Sequence, residues 1–131
     1  MRAFVDTNVF VRHLTGDPPD QAAAATVFLA EAEELYLTDI VLAEVVYVLE
    51  SFYKVPREQV AELSRAIVAF PAIVVTDGAL LLRAIEVYEV DCLDFAEAYL
   101  VACAETSGVG AIATFDREVE RVGSVTRIEP S

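Results

Sequence analysis

Short apolar runs alternate along the chain with longer stretches whose apolar residues recur at helical spacing, the pattern of strands separated by helices. Arg2 to Val5 reads as a buried first strand, and Asn8 to Leu14 as a short helical turn that stops at Gly16-Asp17-Pro18-Pro19. Asp20 then caps an alanine-rich helix to about Glu34, followed by a second strand, Leu35-Tyr36-Leu37. Thr38 or Asp39 caps a helix from Ile40 to about Tyr53, and Pro56 starts another through Phe70, closed by Pro71. Ile73-Val74-Val75, β-branched and bounded by Pro71 and Asp77-Gly78, is a third strand, with a helix from Ala79 to Val90 after it. Asp94 opens a further helix to Thr106, and Ser107-Gly108 ends it. Ala111 to Thr114 is the fourth strand and Val125 to Ile128 a final edge strand.

Two-residue hairpin signals are absent, so these strands predict a parallel sheet covered on both faces. The expected fold is α/β: a three-layer α/β/α sandwich with a central, mainly parallel sheet of four to five strands. No linker, repeat or low-complexity tract divides it, so residues 1–131 are expected to form a single domain.

Composition narrows the picture only a little. The chain is 56% hydrophobic, yet its longest uncharged run, Ala66 to Thr76, is too short to span a bilayer and contains Pro71. Asp6 interrupts what would be the apolar core of a secretion signal, so a cytoplasmic location without a membrane segment is expected. Cys92 and Cys103 suggest neither a zinc site nor a disulfide framework; two reduced thiols are expected, with Cys103 in the core. Acids outnumber bases 22 to 9, a net charge of −13 that repels nucleic acid at long range and suits a basic partner. The same surplus also serves simply to keep an apolar domain in solution.

The acids at the strand ends carry the chemistry. Asp6 and Asp116 each follow an apolar strand, which would place both on one edge of the sheet, where open α/β sheets gather their ligands. Glu44 interrupts a helix apolar almost all round, where a lone carboxylate is costly unless paired, coordinated or at the rim; a narrow solvent stripe with Glu50 and Lys54 is the alternative. Asp94 and Glu97 share one face of a helix start, and there a capping box competes with a ligand role. Crowded carboxylates repel one another unless cations intervene, and an all-oxygen donor set selects Mg²⁺, for which Mn²⁺ can substitute. Such an ion binds phosphate oxygens and activates water, so phosphodiester hydrolysis is the natural reaction. The single His13 lies in no nucleophile context and reads as a solvated helix-end residue, and the scattered glycines build no phosphate loop.

Phe4-Val5-Asp6-Thr7-Asn8-Val9, Glu44, Asp94-Phe95-Ala96-Glu97-Ala98-Tyr99-Leu100 and Ala113-Thr114-Phe115-Asp116 together resemble the PIN domain family over nearly the whole chain. Small single-domain chains of this kind are similar to the VapC toxins of type II toxin–antitoxin pairs, which are Mg²⁺-dependent endoribonucleases. The resemblance implies RNA cleavage leaving a 5′-phosphate and a 3′-hydroxyl. It matches Asp6, Glu44 and Asp116 to the family's first, second and fourth acids. The third is Glu97 or Asp94, and Asp6, Asp94, Glu97 and Asp116 would hold the metal. Thr7 or Thr114 would orient a carboxylate or water, and Asn8 would secure the turn after the first strand. An antitoxin whose basic tail crosses the acids is implied as a partner, along with a homodimer. The apolar helices Ile40 to Tyr53 and Gln59 to Phe70 offer surface for either. Arg12, Lys54, Arg57, Arg117 and Arg121 are candidates for RNA phosphate contacts, against ordinary solubilising charge.

Other readings are an RNA-processing nuclease of the same fold without an antitoxin, an inactive PIN fold that only binds, and a phosphate-accepting receiver. The receiver needs paired acids at the first strand and a lysine beyond a late strand, whereas the only lysine here is Lys54, in a helix-to-helix turn.

Overall fold

The computed structural model describes residues 2–131, which form two compact units, residues 2–76 and 77–131. Each follows from its own apolar pattern.

In the first unit, β1 (Arg2–Phe4), β2 (Glu34–Tyr36) and β3 (Ile73–Val74) form a parallel sheet in the order β1-β2-β3. Ala3 pairs with Leu35, and Leu35 with Ile73. The connections are helical: α1 (Thr7–Thr15) and α2 (Pro19–Glu31) lead to β2, and α3 (Asp39–Ser51) and α4 (Arg57–Val68) lead to β3. Gly16 takes the left-handed conformation (φ 72°) that ends α1, and the Thr38 hydroxyl caps α3 by accepting from the Val41 amide at 3.2 Å. The core holds Val5, Phe10, Val11, Leu29, Leu35, Leu42, Val45, Leu49, Val60 and Ile67. His13, read from the sequence as solvated, hydrogen-bonds Thr26 Oγ1 through Nδ1 at 2.8 Å and so links α1 to α2.

In the second unit, α5 (Gly78–Val90) packs on α6 (Phe95–Ser107) through Leu81, Ile85, Tyr88, Ala98 and Ala102. Arg83 clamps the pair, donating from Nε to Glu105 Oε1 at 2.8 Å and from Nη2 to Oε2 at 2.9 Å. Asp77 and Asp94 cap the two helices, and Gly108 (φ 80°) ends α6. β4 (Ala111–Ala113) and β5 (Thr126–Ile128) form a parallel ladder, joined by a 3₁₀ helix, Arg117–Arg121, that the sequence pattern does not predict.

The α/β class and the parallel pairing hold, with six α-helices among the described residues. The sheet differs from the expected four to five strands: three strands form one ladder and two another. Strands of two or three residues carry few ladder bonds, and apolar patterning marks a strand without marking its neighbour. β1, which leads into Asp6, and β4, which leads toward Asp116, lie in separate ladders. Cys103 is half-buried rather than in the core, and both thiols are unpaired.

Candidate active site

The chain leaves β1 through buried Val5 and turns into α1 at Asp6, which holds the N-cap position in an extended conformation (φ −79°, ψ 155°). The Asp6 carbonyl closes the turn by accepting from the Val9 amide at 3.1 Å. The Asp6 carboxylate makes no capping bond and is exposed, so the strand end presents a carboxylate that the helix does not consume. Thr7, only 5% exposed, donates from Oγ1 to Glu44 Oε2 at 2.7 Å. That bond fixes the Glu44 carboxylate against the first turn of α1. Asn8, expected to secure the turn, lies one residue further on and lines a cleft with Arg12, Gln21 and Phe28.

Glu44 is less anomalous than its sequence context suggests. α3 divides into a buried face, Leu42, Val45, Val46 and Leu49, and an exposed one bearing Ile40, Glu44 and Tyr47. An exposed carboxylate carries little desolvation cost. The Thr7 bond, rather than burial, sets Glu44 apart from an ordinary surface glutamate.

In the second unit three acids and a cap converge. Asp94 Oδ1 accepts from the Glu97 amide at 2.8 Å, satisfying one of the open amides of α6. Asp116 caps the 3₁₀ helix, with Oδ1 accepting from the Glu118 amide at 2.9 Å, while its own amide donates to Thr114 Oγ1 at 3.0 Å. Thr114 therefore shapes the turn that carries Asp116. Glu97, Asp116 and Glu118 each offer a carboxylate oxygen, and these atoms lie within 4.8 Å of one another.

Electrostatics separate the two central acids. Burial pushes the Glu97 carboxyl up to about 8, reinforced by hydrogen bonding to, and charge repulsion from, Asp94 and Asp116. Asp116 moves the other way: the Glu118 amide lowers it most, then its bond with Glu97, with Arg121 and Arg127 adding positive charge. One acid is thus poised to keep a proton at neutral pH beside another that has lost its own. Glu97 Oε2 is buried without a hydrogen-bond partner among the described residues. A buried carboxylate oxygen left without a donor, within a set of oxygen ligands only, fits a hard divalent cation.

Glu118 escaped the sequence reading, and residues two apart on an α-helix do not face each other. Here Asp116 is the cap rather than a helical residue, and the tight 3₁₀ turn brings the Glu118 carboxylate back to it. An acid two residues after a strand-end Asp is the signal that could have found it.

Parallel α/β ladders, carboxylates at strand ends and an all-oxygen cluster define the class: α/β proteins with an acidic, cation-ready site. Residues 3–125 match the family model of the PIN domain, and the chain belongs to that family. PIN domains are generally metal-dependent nucleases. No curated protein matches the chain. No helix among the described residues is long and apolar enough to cross a membrane.

Proposed function

We propose that this chain is a Mg²⁺-dependent endoribonuclease and the toxin of a VapBC-type toxin–antitoxin pair, acting as a single domain in the cytoplasm. The observation that carries the nuclease reading is the Glu97–Asp116–Glu118 cluster, with its opposed protonation and its partnerless buried oxygen. Glu97, Asp116 and Glu118 would hold the ion, and Asp94 serves chiefly as the α6 cap. A bound Mg²⁺ supplies Lewis acidity toward phosphate oxygens and lowers the pKa of water. The family resemblance also assigns Asp6, whose carboxylate is unspent by capping, and Glu44, oriented by Thr7, to the hydrolysis. Asp116, held ionised, would ligate the cation without first losing a proton, whereas Glu97 would have to give up its proton to do so.

Two features support the toxin role. The net charge of −13 complements a basic antitoxin tail. Exposed Ile40 and Tyr47 on α3 give an apolar face of the kind that an antitoxin or a second copy in a homodimer would cover.

Cleavage of a structured RNA in Mg²⁺, in Mn²⁺ and in EDTA, with mapping of the cut ends, is the direct test. The expected products carry 5′-phosphates, EDTA abolishes them, and Asp116→Asn lowers the rate by about 100-fold or more, the several kcal/mol a catalytic ion contributes. Full activity in EDTA or in Asp116→Asn would refute the metal-dependent role of this cluster, and no cleavage under any of these conditions would refute the nuclease reading. A short reading frame beside this gene encoding a DNA-binding protein with a basic tail would support the toxin role.

A further inference from the structure

Arg121, in the last turn of the 3₁₀ helix, makes contacts that a solubilising charge does not need. Its Nη1 donates to the Cys92 carbonyl at 3.1 Å and approaches the Asp91 carbonyl at 3.5 Å, while Nη2 pairs with Glu118 Oε1 at 3.3 Å. The turn it grips joins α5 to the Asp94 cap of α6, and Cys92 takes a left-handed conformation there (φ 59°) uncommon for a residue with a side chain. Two successive carbonyls thereby face one guanidinium nitrogen while the other terminal nitrogen of the planar fork reaches Glu118, so a single rigid group spans the turn and the acid.

We propose that Arg121 is a positioning residue for the acidic cluster: its guanidinium staples the 91–92 turn to the 3₁₀ helix and holds Glu118 in register with Glu97 and Asp116. The inference rests on the cation-binding reading of that cluster. The Arg121–Glu118 pair alone does not explain the arrangement, because both side chains are about half exposed (48% and 45%) and such pairs stabilise little. The backbone anchor gives the pair its use, since it fixes the guanidinium independently of Glu118. Charge and positioning predict opposite results on removal. By charge alone, loss of a cation beside the acids tightens divalent-ion binding; by positioning, it loosens it.

The test uses the full chain with Arg121→Gln and Arg121→Lys. Mn²⁺ affinity is read from the free-ion electron paramagnetic resonance signal, and amide hydrogen exchange over residues 91–98 is followed without metal. Arg121→Gln is expected to weaken Mn²⁺ binding by about tenfold, the usual effect of losing a partner of a ligand, and to speed exchange at the α6 start. Arg121→Lys should recover part of both losses, because it keeps one donor to the carbonyls. Unchanged or tighter Mn²⁺ binding in Arg121→Gln overturns the proposal, as does unchanged exchange. Wild-type protein that takes up no Mn²⁺ overturns the cluster's role as a cation site and the positioning role with it. Mn²⁺ uptake that responds to Arg121 in a protein that cleaves no RNA leaves the positioning role standing and removes only the nuclease reading.

Discussion

Glu97 concentrates the electrostatics of the second unit in one carboxyl group, and its protonation has a consequence for folding. Its pKa is raised to about 8 in the folded protein, so between the ordinary carboxylate range and pH 8 the folded state binds more protons than the unfolded one. Stability therefore falls as pH rises through that window. Asp116, lowered in the fold, contributes oppositely, and its stabilisation is lost only in acid as pH drops through its folded value. In EDTA the melting temperature should decline from pH 5 to pH 8, and Glu97→Gln should flatten that slope and melt higher than wild type at pH 8. Because cation binding displaces the proton, Mn²⁺ should stabilise the wild type more at pH 8 than at pH 6. A metal-free melting temperature that does not change over this range would show that Glu97 titrates as an ordinary surface acid.

At the scale of elements, α6 shows how one residue type serves two ends. Asp94 caps the helix through the Glu97 amide and also presses its charge on the Glu97 carboxyl. Asparagine caps as well as aspartate, so Asp94→Asn should leave stability nearly unchanged, keep Mn²⁺ binding and lower the Glu97 pKa. Asp94→Ala should cost about 1 kcal/mol in urea denaturation. Loss of Mn²⁺ binding in Asp94→Asn would make Asp94, rather than Glu97, the third acid. Capping of this kind was legible from residue type and spacing at Thr38 and Asp94, which cap where the sequence reading puts a helix start, whereas Asp77, read only as the end of the third strand, caps α5. Pro56, read as a first-turn proline, lies one position earlier as the cap of α4, and Pro18, two residues before the expected Asp20, caps α2. A fixed φ near −65° suits either side of a helix start. Strand partners were not legible, because apolar patterning records burial and not the neighbour that completes a ladder. Glu118 was missed for a related reason: its place in the cluster depends on the 3₁₀ turn set by the Asp116 cap, and no periodicity announces that turn. The part of the site that was legible, Asp6, Glu44, Glu97 and Asp116, consists of acids whose strand-end, helix-start or apolar setting already marked them.

For the whole molecule the net charge of −13 sets how partners approach, and it separates the two proposed ones by sign. RNA is repelled at long range, and the basic tail of an antitoxin is attracted. Raising monovalent salt from about 50 to about 200 mM roughly halves the screening length, from about 14 Å to about 7 Å. With Mg²⁺ held saturating, kcat/KM on RNA should rise severalfold over that range, while the association rate of a basic tail peptide falls. Opposite slopes are unusual for a nuclease, whose encounter with RNA is ordinarily weakened by salt through loss of phosphate contacts. A cleavage rate that drops steeply with salt would mean that a few cations govern the encounter despite the overall charge. Arg117, 78% exposed at the start of the 3₁₀ helix and joined to Glu120 by a 3.6 Å pair, would be the first to substitute. A salt slope shallower by about one in Arg117→Gln would then assign one phosphate contact to that side chain.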